Sequence, residues 1–546
     1  MTSHNAPQPA YSSGQRDTIV HMLQRAVENH GNKEFLVIDR VPITYVEMDR
    51  RSNAMARAFA ELGVKKGDRV VTLFSTSVDV FTCWFAINKL GGIWVPINTA
   101  YRGEFLRHQI SDAGAKLAIC DPGYLERFVQ IASQLPDLNL ILVRGNDDLP
   151  ACAIELDRLD KYRGSDESQL PIIAEPSDLC SLLYTSGTTG PSKGCMISHN
   201  YLAAIGRINK EFIWQEEGET LWTPLPVFHA AALSGVVSCM TQGLRMAISS
   251  TFSVSRFWDD IEDADATVAM LMATIFPLVA QAPDTEASKR YFGKLRMIFG
   301  VPITRELRKI WMERFGVQVA SSWAYGQTES IRLCGVHHSE TPPESCAGRP
   351  VDLYDVAILD NDDQPVPPGT VGQICHRPRY PNVMFEGYWG RPEATAAVWK
   401  NMWMHTGDLG RMDEDGYLYF ADRAKDYLRH RGENVSSFEV EAAFMQHHSI
   451  SEVAIHAIGK QTGDDDIKLT AILREGAHTD PKALCLWAVE NLPHFAVPRY
   501  YEFRNELPKN PTGRVLKYQL RDEGVTRDTW DREAHGIQVR RQKVKS

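Results

Sequence analysis

Through its first 300 residues the chain alternates between two hydrophobic periods. MDRRSNAMARAFAELGV (48–64) places its apolar residues at helical spacing and stops at Gly63. KKGDRVVTLF follows, with Val70, Val71, Leu73 and Phe74 in the short apolar run expected of a buried strand. Repeated helix and strand imply an α/β fold of parallel-type sheets covered by helices. The longest apolar stretch, TVAMLMATIFPLVA (267–280), is interrupted by threonines and Pro277. It falls short of the ~20 residues a membrane-spanning helix needs, so it is read as core. From about residue 350 the texture turns β-rich, as in DVAILDNDDQPVPPGTVGQICHR (355–377), where Asn361 to Pro368 form a loop between apolar strands. Beyond 417–444 the pattern returns to α+β, with VAIHAIG and LTAILRE as strands and ALCLWAVENL as a helix. A small C-terminal domain is expected to begin near Asp422.

Composition narrows the class. Of 546 residues, 43% are hydrophobic and 23% charged, which excludes disorder, collagen and coiled coil for the bulk of the chain. Fifty-nine basic residues against 69 acidic ones give a net charge of −10. With a pI near 6.0 there is no basic field to gather nucleic acid. The ten cysteines are scattered without a C-x-x-C pair, so neither a zinc site nor a disulfide framework is expected and a reducing cytoplasm fits best. Residues 1–18 are polar and lack both a signal-peptide pattern and a myristoylation glycine, so a loose tail is expected there. The basic C-terminus, IQVRRQKVKS, reads as a solvated tail.

The most informative segment is SLLYTSGTTGPSKGCMISHN (181–200). An apolar run leads into three glycines, Gly187, Gly190 and Gly194, and five hydroxyl residues, Thr185, Ser186, Thr188, Thr189 and Ser192. Glycines let backbone N–H groups approach anionic oxygens, hydroxyls add donors and Lys193 supplies a point charge, so the loop suits a polyphosphate. It is not a Walker A loop, because Pro191 follows Gly190 and Gly194 follows Lys193. A flexible Gly/Ser linker is the bland alternative; a lysine and an ordered apolar run at its ends disfavour it.

YTSGTTGPSKG resembles the signature of the adenylate-forming (AMP-binding) superfamily, which includes acyl-CoA ligases, peptide-synthetase adenylation domains and luciferases. LPVFHAAALSG (225–235), FGVPI (299–303), AYGQTES (324–330), MHTGDLG (404–410), FADRAKDYLRHRGENVSSFEVE (420–441) and LPKNPTGRVLKYQL (507–520) follow in the family's order. ITYVEMDRRSNAMARAFAELGVKKGDRV (43–70) extends the resemblance to nearly the whole chain. FW at 257–258 and RGENVS at 431–436 look most like carnitine/crotonobetaine-type CoA ligases. The resemblance implies an N-terminal AMP-binding domain over 19–421, a hinge at 422–426, a mobile C-terminal domain over 427–525 and a tail over 526–546.

It further implies an acid:CoA ligase that uses ATP and Mg²⁺, passes through an acyl-AMP and makes a CoA thioester, releasing AMP and pyrophosphate. The expected partners are a small carboxylic acid, ATP and coenzyme A, with a homodimer as one assembly it allows. Bringing a carboxylate to the α-phosphate joins two anions, so catalysis is positioning plus charge neutralisation. The resemblance gives Thr185, Lys193, Thr328 and Arg514 contact with the phosphates, together with the loop residues 186–190. Glu329 would hold Mg²⁺; a Thr-Glu pair alone reads as a helix start. Tyr325 would stack on adenine, with Gly300, Val301, Pro302, Gly326 and Gln327 beside it. Asp408 and Arg423 would hold the ribose hydroxyls, where the bland readings are a turn residue and a surface ion pair. Lys425 falls at the hinge, and Arg429, Arg431, Gly432 and Glu433 would meet CoA, a solvated loop face being the equal alternative for the basic residues. Phe228, His229, Trp323, Ala324, Arg332 and Cys334 would line the acyl pocket, with His229 acting in catalysis; a lone histidine after an apolar run is otherwise a core residue.

The sequence departs from the family at two places. Arg514 stands where the family's last motif has lysine, and a planar guanidinium is not a compact ammonium. Ala230 and Ala231 follow His229 where the carnitine ligases carry an acid, leaving no partner there for a quaternary ammonium. Arg332 in ESIRLCG would need an anion if buried, which suggests a second carboxylate or other polar group on the substrate, whereas at the surface it would need none. Two alternatives remain beside the CoA ligase: an adenylating enzyme that loads a carrier-protein thiol, and a nucleotide-binding pseudoenzyme disabled at Arg514.

Overall fold

The computed structural model describes residues 16–539 except 186–190, 213–215, 273–274, 302, 304, 338–339, 424–427, 431–432, 436, 460–464, 509–514 and 516. The chain divides into two compact units. One takes in the chain up to Pro96, Arg158–Leu183 and Cys195–Asp422; the other takes in Ile97–Asp157, Tyr184–Gly194 and the chain from Arg423 on.

In the first unit, the expected alternation yields a seven-stranded sheet. Val319–Ser321, Met297–Phe299, Val268–Met270, Thr220–Thr223, Arg245–Ile248 and Glu34–Ile38 lie side by side and parallel, and Val41–Thr44 closes one edge antiparallel. The inner strands are short and largely apolar because both faces are covered. On one of them Phe257 meets Trp222 edge-on at 5.4 Å and Trp311 at 5.8 Å. The stretch 267–280 is core as expected, forming the strand Val268–Met270 and the helix Ile275–Gln281. The β-rich region forms a separate sheet, in which Tyr354–Leu359 pairs antiparallel with Gly372–Pro378, which pairs in turn with Trp403–Met412. A third set of strands carries Arg69–Leu73 parallel to Ile93–Pro96, with Trp94 opposite Ser181.

The second unit contains the parallel pair Leu117–Cys120 and Leu140–Val143. It also contains a four-stranded sheet in the order Ile450–Ile458, Asp466–Leu473, Tyr500–Phe503, Trp530–Asp531. Lys468, fully buried in this sheet, lies 2.7 Å from Glu502. Glu502 also accepts from Thr526, Thr529 and Arg504. Burial alone would raise its pKa, but these donors, led by Lys468, hold it down at about 2.

Described residues from both expected tails are ordered. Thr18 caps the helix Ile19–His30 by accepting from the His21 amide at 3.0 Å, and the Asp17 amide donates to Asn200. At the other end Trp530–Asp531 completes the sheet, Arg532 donates to the Pro498 carbonyl at 3.1 Å and Val539 is buried, so the expected tail over 526–546 is packed as far as 539. Polar sequence hid this order, because strand pairing and arginine–carbonyl bonds need no apolar pattern. Among the described residues no helix is long and apolar enough to cross a membrane.

The Lys468–Glu502 pair yields a pH prediction. Glu502 is more acidic folded than in an unfolded chain, where it titrates near 4.5, so its contribution is complete above that value and fades as pH falls towards about 2. Chemical denaturation of the wild type should show stability dropping across that window, and Glu502→Gln should flatten this segment. At neutral pH the same variant should lose about 3–5 kcal/mol, because it strands a buried ammonium.

Candidate active site

Ligands of open α/β sheets gather beyond the carboxyl ends of the strands. Three strands of the large sheet end in this way. Thr220–Thr223 leads to Phe228 and His229, Met297–Phe299 to Gly300 and Val301, and Val319–Ser321 to Trp323 and Ala324. His229 is the residue before the helix Ala230–Gln242, and its carbonyl accepts from the Ala232 amide at 3.0 Å. Gly300 has no room for a side chain: a Cβ would fall 2.2 Å from the Leu271 carbonyl oxygen and 2.9 Å from the Phe276 ring. Phe228, His229, Gly300, Trp323 and Ala324 therefore follow strands of one sheet.

From Ala324 the chain runs into a hairpin, Ala324–Gln327 against Ser330–Gly335, with Thr328 and Glu329 at its turn rather than at a helix start. Tyr325 pairs with Cys334, while Gln327 pairs with Ser330, so the register slips between them. Gly326 sits at the slip. A Cβ there would lie 2.2 Å from the Ile331 carbonyl oxygen and 2.7 Å from that of Ser330. A β-bulge of this kind re-aims the side chains beside it.

Those side chains form a half-buried polar cluster around the buried Asp408. The Tyr325 hydroxyl donates to Asp408 Oδ2 at 2.7 Å, and Gln327 Nε2 donates to the same oxygen at 3.0 Å and to the Thr406 carbonyl at 2.9 Å. Asp408 is buried within the strand Trp403–Met412, so it is not the exposed turn residue its glycine neighbour would suggest. Burial, then the Asp408 charge, pushes the Tyr325 phenol well above its ordinary pKa. The ring keeps its proton and remains a donor, lying 6.2 Å from Phe420.

Glu329 is held by residues absent from the sequence reading. Tyr388 donates to its Oε1 at 2.7 Å, and the Phe385 amide donates to its carbonyl at 2.9 Å. Tyr201 reaches the same turn, donating to the Thr328 carbonyl at 3.1 Å and accepting from the Ile331 amide. A buried carboxylate with one oxygen fixed by a phenol and no ion pair among the described residues suits Mg²⁺, which takes one or two carboxylates and completes its shell with phosphate and water.

Arg332 is buried at 8% exposure, which removes the surface alternative. Its Nε donates to Asn209 Oδ1 at 2.7 Å and its guanidinium lies 5.7 Å from the Phe212 ring centroid. Burial lowers its pKa to about 10, so it stays cationic at neutral pH. Cys334, two residues on, is fully buried, and burial raises its thiol well above the ordinary range.

In the second unit, Thr185 ends the strand Leu179–Thr185 and Lys193 begins Lys193–Ser198, with the loop between them running through 186–190, outside the described residues. Ser192 anchors the return. Its Oγ accepts from Gln109 at 3.2 Å, its carbonyl is 2.9 Å from His108 Nε2 and its amide donates to the Glu439 carboxylate. Burial raises Glu439 to about 7 against the pull of the Ser192 donors. Glu433 lies in the strand Glu433–Val435, paired with His430. Pro302, Lys425, Arg431, Gly432, Arg514 and the side chains of Arg423 and Arg429 lie outside the described residues. Tyr388 and Glu439 stand in motif-like segments, GYWG and FEVE, and spacing to Glu329 and the loop could have marked them; Tyr201, Asn209, His108 and Gln109 carry no such signal.

The AMP-binding enzyme family matches residues 23–389, and the C-terminal domain of AMP-binding enzymes matches 439–514. The chain belongs to the AMP-binding enzymes. Among its relatives is the crotonobetaine/carnitine–CoA ligase of Salmonella typhi, 28% identical over 503 residues, which are 90% of this chain and 96% of that one. A fatty acyl CoA synthetase of Mycobacterium tuberculosis superposes with a TM-score of 0.66 at 25% identity, covering 94% of this chain and 99% of that one. A double mutant of the o-succinylbenzoate CoA synthetase of Bacillus subtilis shares the fold, with a TM-score of 0.77 at 22% identity, over 92% of this chain and 98% of that one.

Two substitutions test the geometry. Gly326→Ala should force the strands apart and displace Tyr325 and Glu329, lowering acid-dependent pyrophosphate release about 100-fold with far-UV circular dichroism unchanged. Tyr388→Phe should keep the fold but free Glu329 Oε1, raising the Mg²⁺ concentration for half-maximal release about tenfold.

Proposed function

We propose that this chain is an ATP- and Mg²⁺-dependent acid:CoA ligase of the cytoplasm. A carboxylate oxygen of a small to medium acid attacks the α-phosphate of ATP and pyrophosphate leaves. The sulfur of CoA then attacks the acyl carbonyl, the thiol proton goes to solvent and AMP leaves. The observation that carries this reading is the likeness to CoA ligases along 90% of the chain, together with a half-buried Tyr325–Asp408–Gln327 cluster beside the Glu329 turn.

Each residue has work that its chemistry permits. Asp408 accepts from the ribose hydroxyls, with Gln327 and Tyr325 fixing its carboxylate, so the ribose finds an acceptor already oriented. Thr185, Thr328 and Lys193 donate to phosphate oxygens. Glu329, steadied by Tyr388, holds the metal, which when bound neutralises phosphate charge as attack proceeds. His229, Phe228, Trp323 and Ala324 line the acyl pocket. Lys425 is the hinge, and Arg429, Arg431, Gly432 and Glu433 receive CoA after the C-terminal domain turns. Arg514 supplies the cation between the substrate carboxylate and the α-phosphate. That the ten cysteines are thiols, nine of them buried, suits a reducing compartment.

The experiment is pyrophosphate release with ATP and Mg²⁺ across mono-, di-, aromatic and zwitterionic acids, with and without CoA. The expected result is release stimulated by one class of acid and accelerated by CoA, with acyl-CoA formed in equal amount. Thioester formed only on a carrier protein would transfer the reading to carrier loading. No release with any acid, unrestored by Arg514→Lys, would reduce the chain to a nucleotide-binding protein.

A further inference from the structure

Four cationic side chains are buried among the described residues: Lys89, Arg332, Lys468 and Arg532. Three of them face an acid. Lys89 lies 2.6 Å from Asp49, Lys468 lies 2.7 Å from Glu502 and Arg532 lies 3.4 Å from Glu533. Arg332 has no carboxylate; its contacts are the neutral amide of Asn209, through Nε, and the face of Phe212. A buried charge without a counter-ion is expensive, and a fold that pairs its other buried cations leaves this one open.

The surroundings hold the guanidinium still. Asn209 and Phe212 lie three residues apart on the helix His199–Phe212, hence on one face of it. The Asn209 Nδ2 donates to the Ser234 carbonyl at 3.3 Å, which turns Oδ1 towards Arg332. Phe212 has its place because position 335 is glycine: a Cβ there would come within 2.6 Å of the ring. Nε is thus occupied while the two terminal nitrogens, the pair that grips a carboxylate side-on, make no hydrogen bond or ion pair to the described residues. Arg332 is three residues beyond Glu329 on the hairpin that bears Tyr325.

On the ligase reading, we propose that Arg332 is the specificity-determining residue of the acyl pocket and takes a second carboxylate of the substrate, so that the preferred acids are dicarboxylic. Asn209 is its positioning residue. The pocket then selects by charge: a diacid supplies the missing counter-ion, whereas a monoacid of equal length leaves the guanidinium desolvated and unpaired.

The test is calorimetric, on the full chain, with two non-hydrolysable acyl-sulfamoyl adenosines that differ only at the far end of the acyl chain, a carboxylate in one and a methyl group in the other. Binding is read without turnover, so the result does not depend on the competence of Arg514. The wild type should bind the carboxylate analogue about 30-fold or more tighter. Arg332→Leu should abolish that ratio, and Asn209→Leu should reduce it. If Arg332→Leu does not fold, Arg332→Gln, which keeps a donor for Asn209, gives the same comparison. Equal affinities in the wild type, or a ratio that survives in the Arg332 variant, overturn the assignment while leaving the ligase reading intact. Failure of both analogues to bind overturns the ligase reading and this assignment with it.

Discussion

A single close approach of backbone to backbone governs the hairpin that carries Tyr325 and Glu329. Gly326 lies so near the Ile331 carbonyl that no side chain fits between them, and the pairing of the hairpin slips at that point. The slip decides where the neighbouring groups go. Tyr325 and Gln327 converge on Asp408 from the first strand, Glu329 meets Tyr388 at the turn, and Arg332 leaves the second strand towards Asn209. Four side chains of one hairpin thus reach three separate partners, Asp408, Tyr388 and Asn209.

Electrostatics then divides the labour between burial and pairing. The Lys468–Glu502 pair is fully satisfied, with the Thr526 and Thr529 hydroxyls and Arg504 donating to Glu502 and Lys468 donating to the Gly524 carbonyl. Glu329 and Arg332 are buried too, but each is only partly satisfied by neutral partners, a phenol and an amide. On the proposed reading, the contrast between saturated and half-saturated buried charges separates groups that hold the fold from groups that take a ligand.

Much of this was legible in the sequence, and the reasons differ by level. Alternating periods gave the parallel sheets, because strands buried on both faces must be apolar throughout, and the hairpin-like run at 355–377 gave the β-rich sheet. The family motifs marked Tyr325, Glu329 and Asp408. Asp408 in isolation read as a turn residue because glycine precedes it, yet it lies buried in a ten-residue strand. Tyr201, Asn209 and Gln109 were invisible because their roles arise from helix faces packed against distant strands, which no local spacing encodes. The order at 526–539 was missed for a related reason: it rests on backbone pairing and on Arg532 bonding carbonyls, neither of which leaves a hydrophobic signature.

The anchor of Ser192 bears on how far the nucleotide-binding part can stand alone. The carboxylate that receives its amide belongs to Glu439, 247 residues further along the chain, and so beyond the 23–389 segment that matches the main AMP-binding family. A chain cut after that segment would keep the glycines and Lys193 but lose one of the three side chains fixing the end of the loop. The loop and the C-terminal region are therefore not interchangeable parts. A hybrid that joins this N-terminal portion to another enzyme's C-terminal domain must bring an acid to the same place, or it inherits a loop with a loosened end.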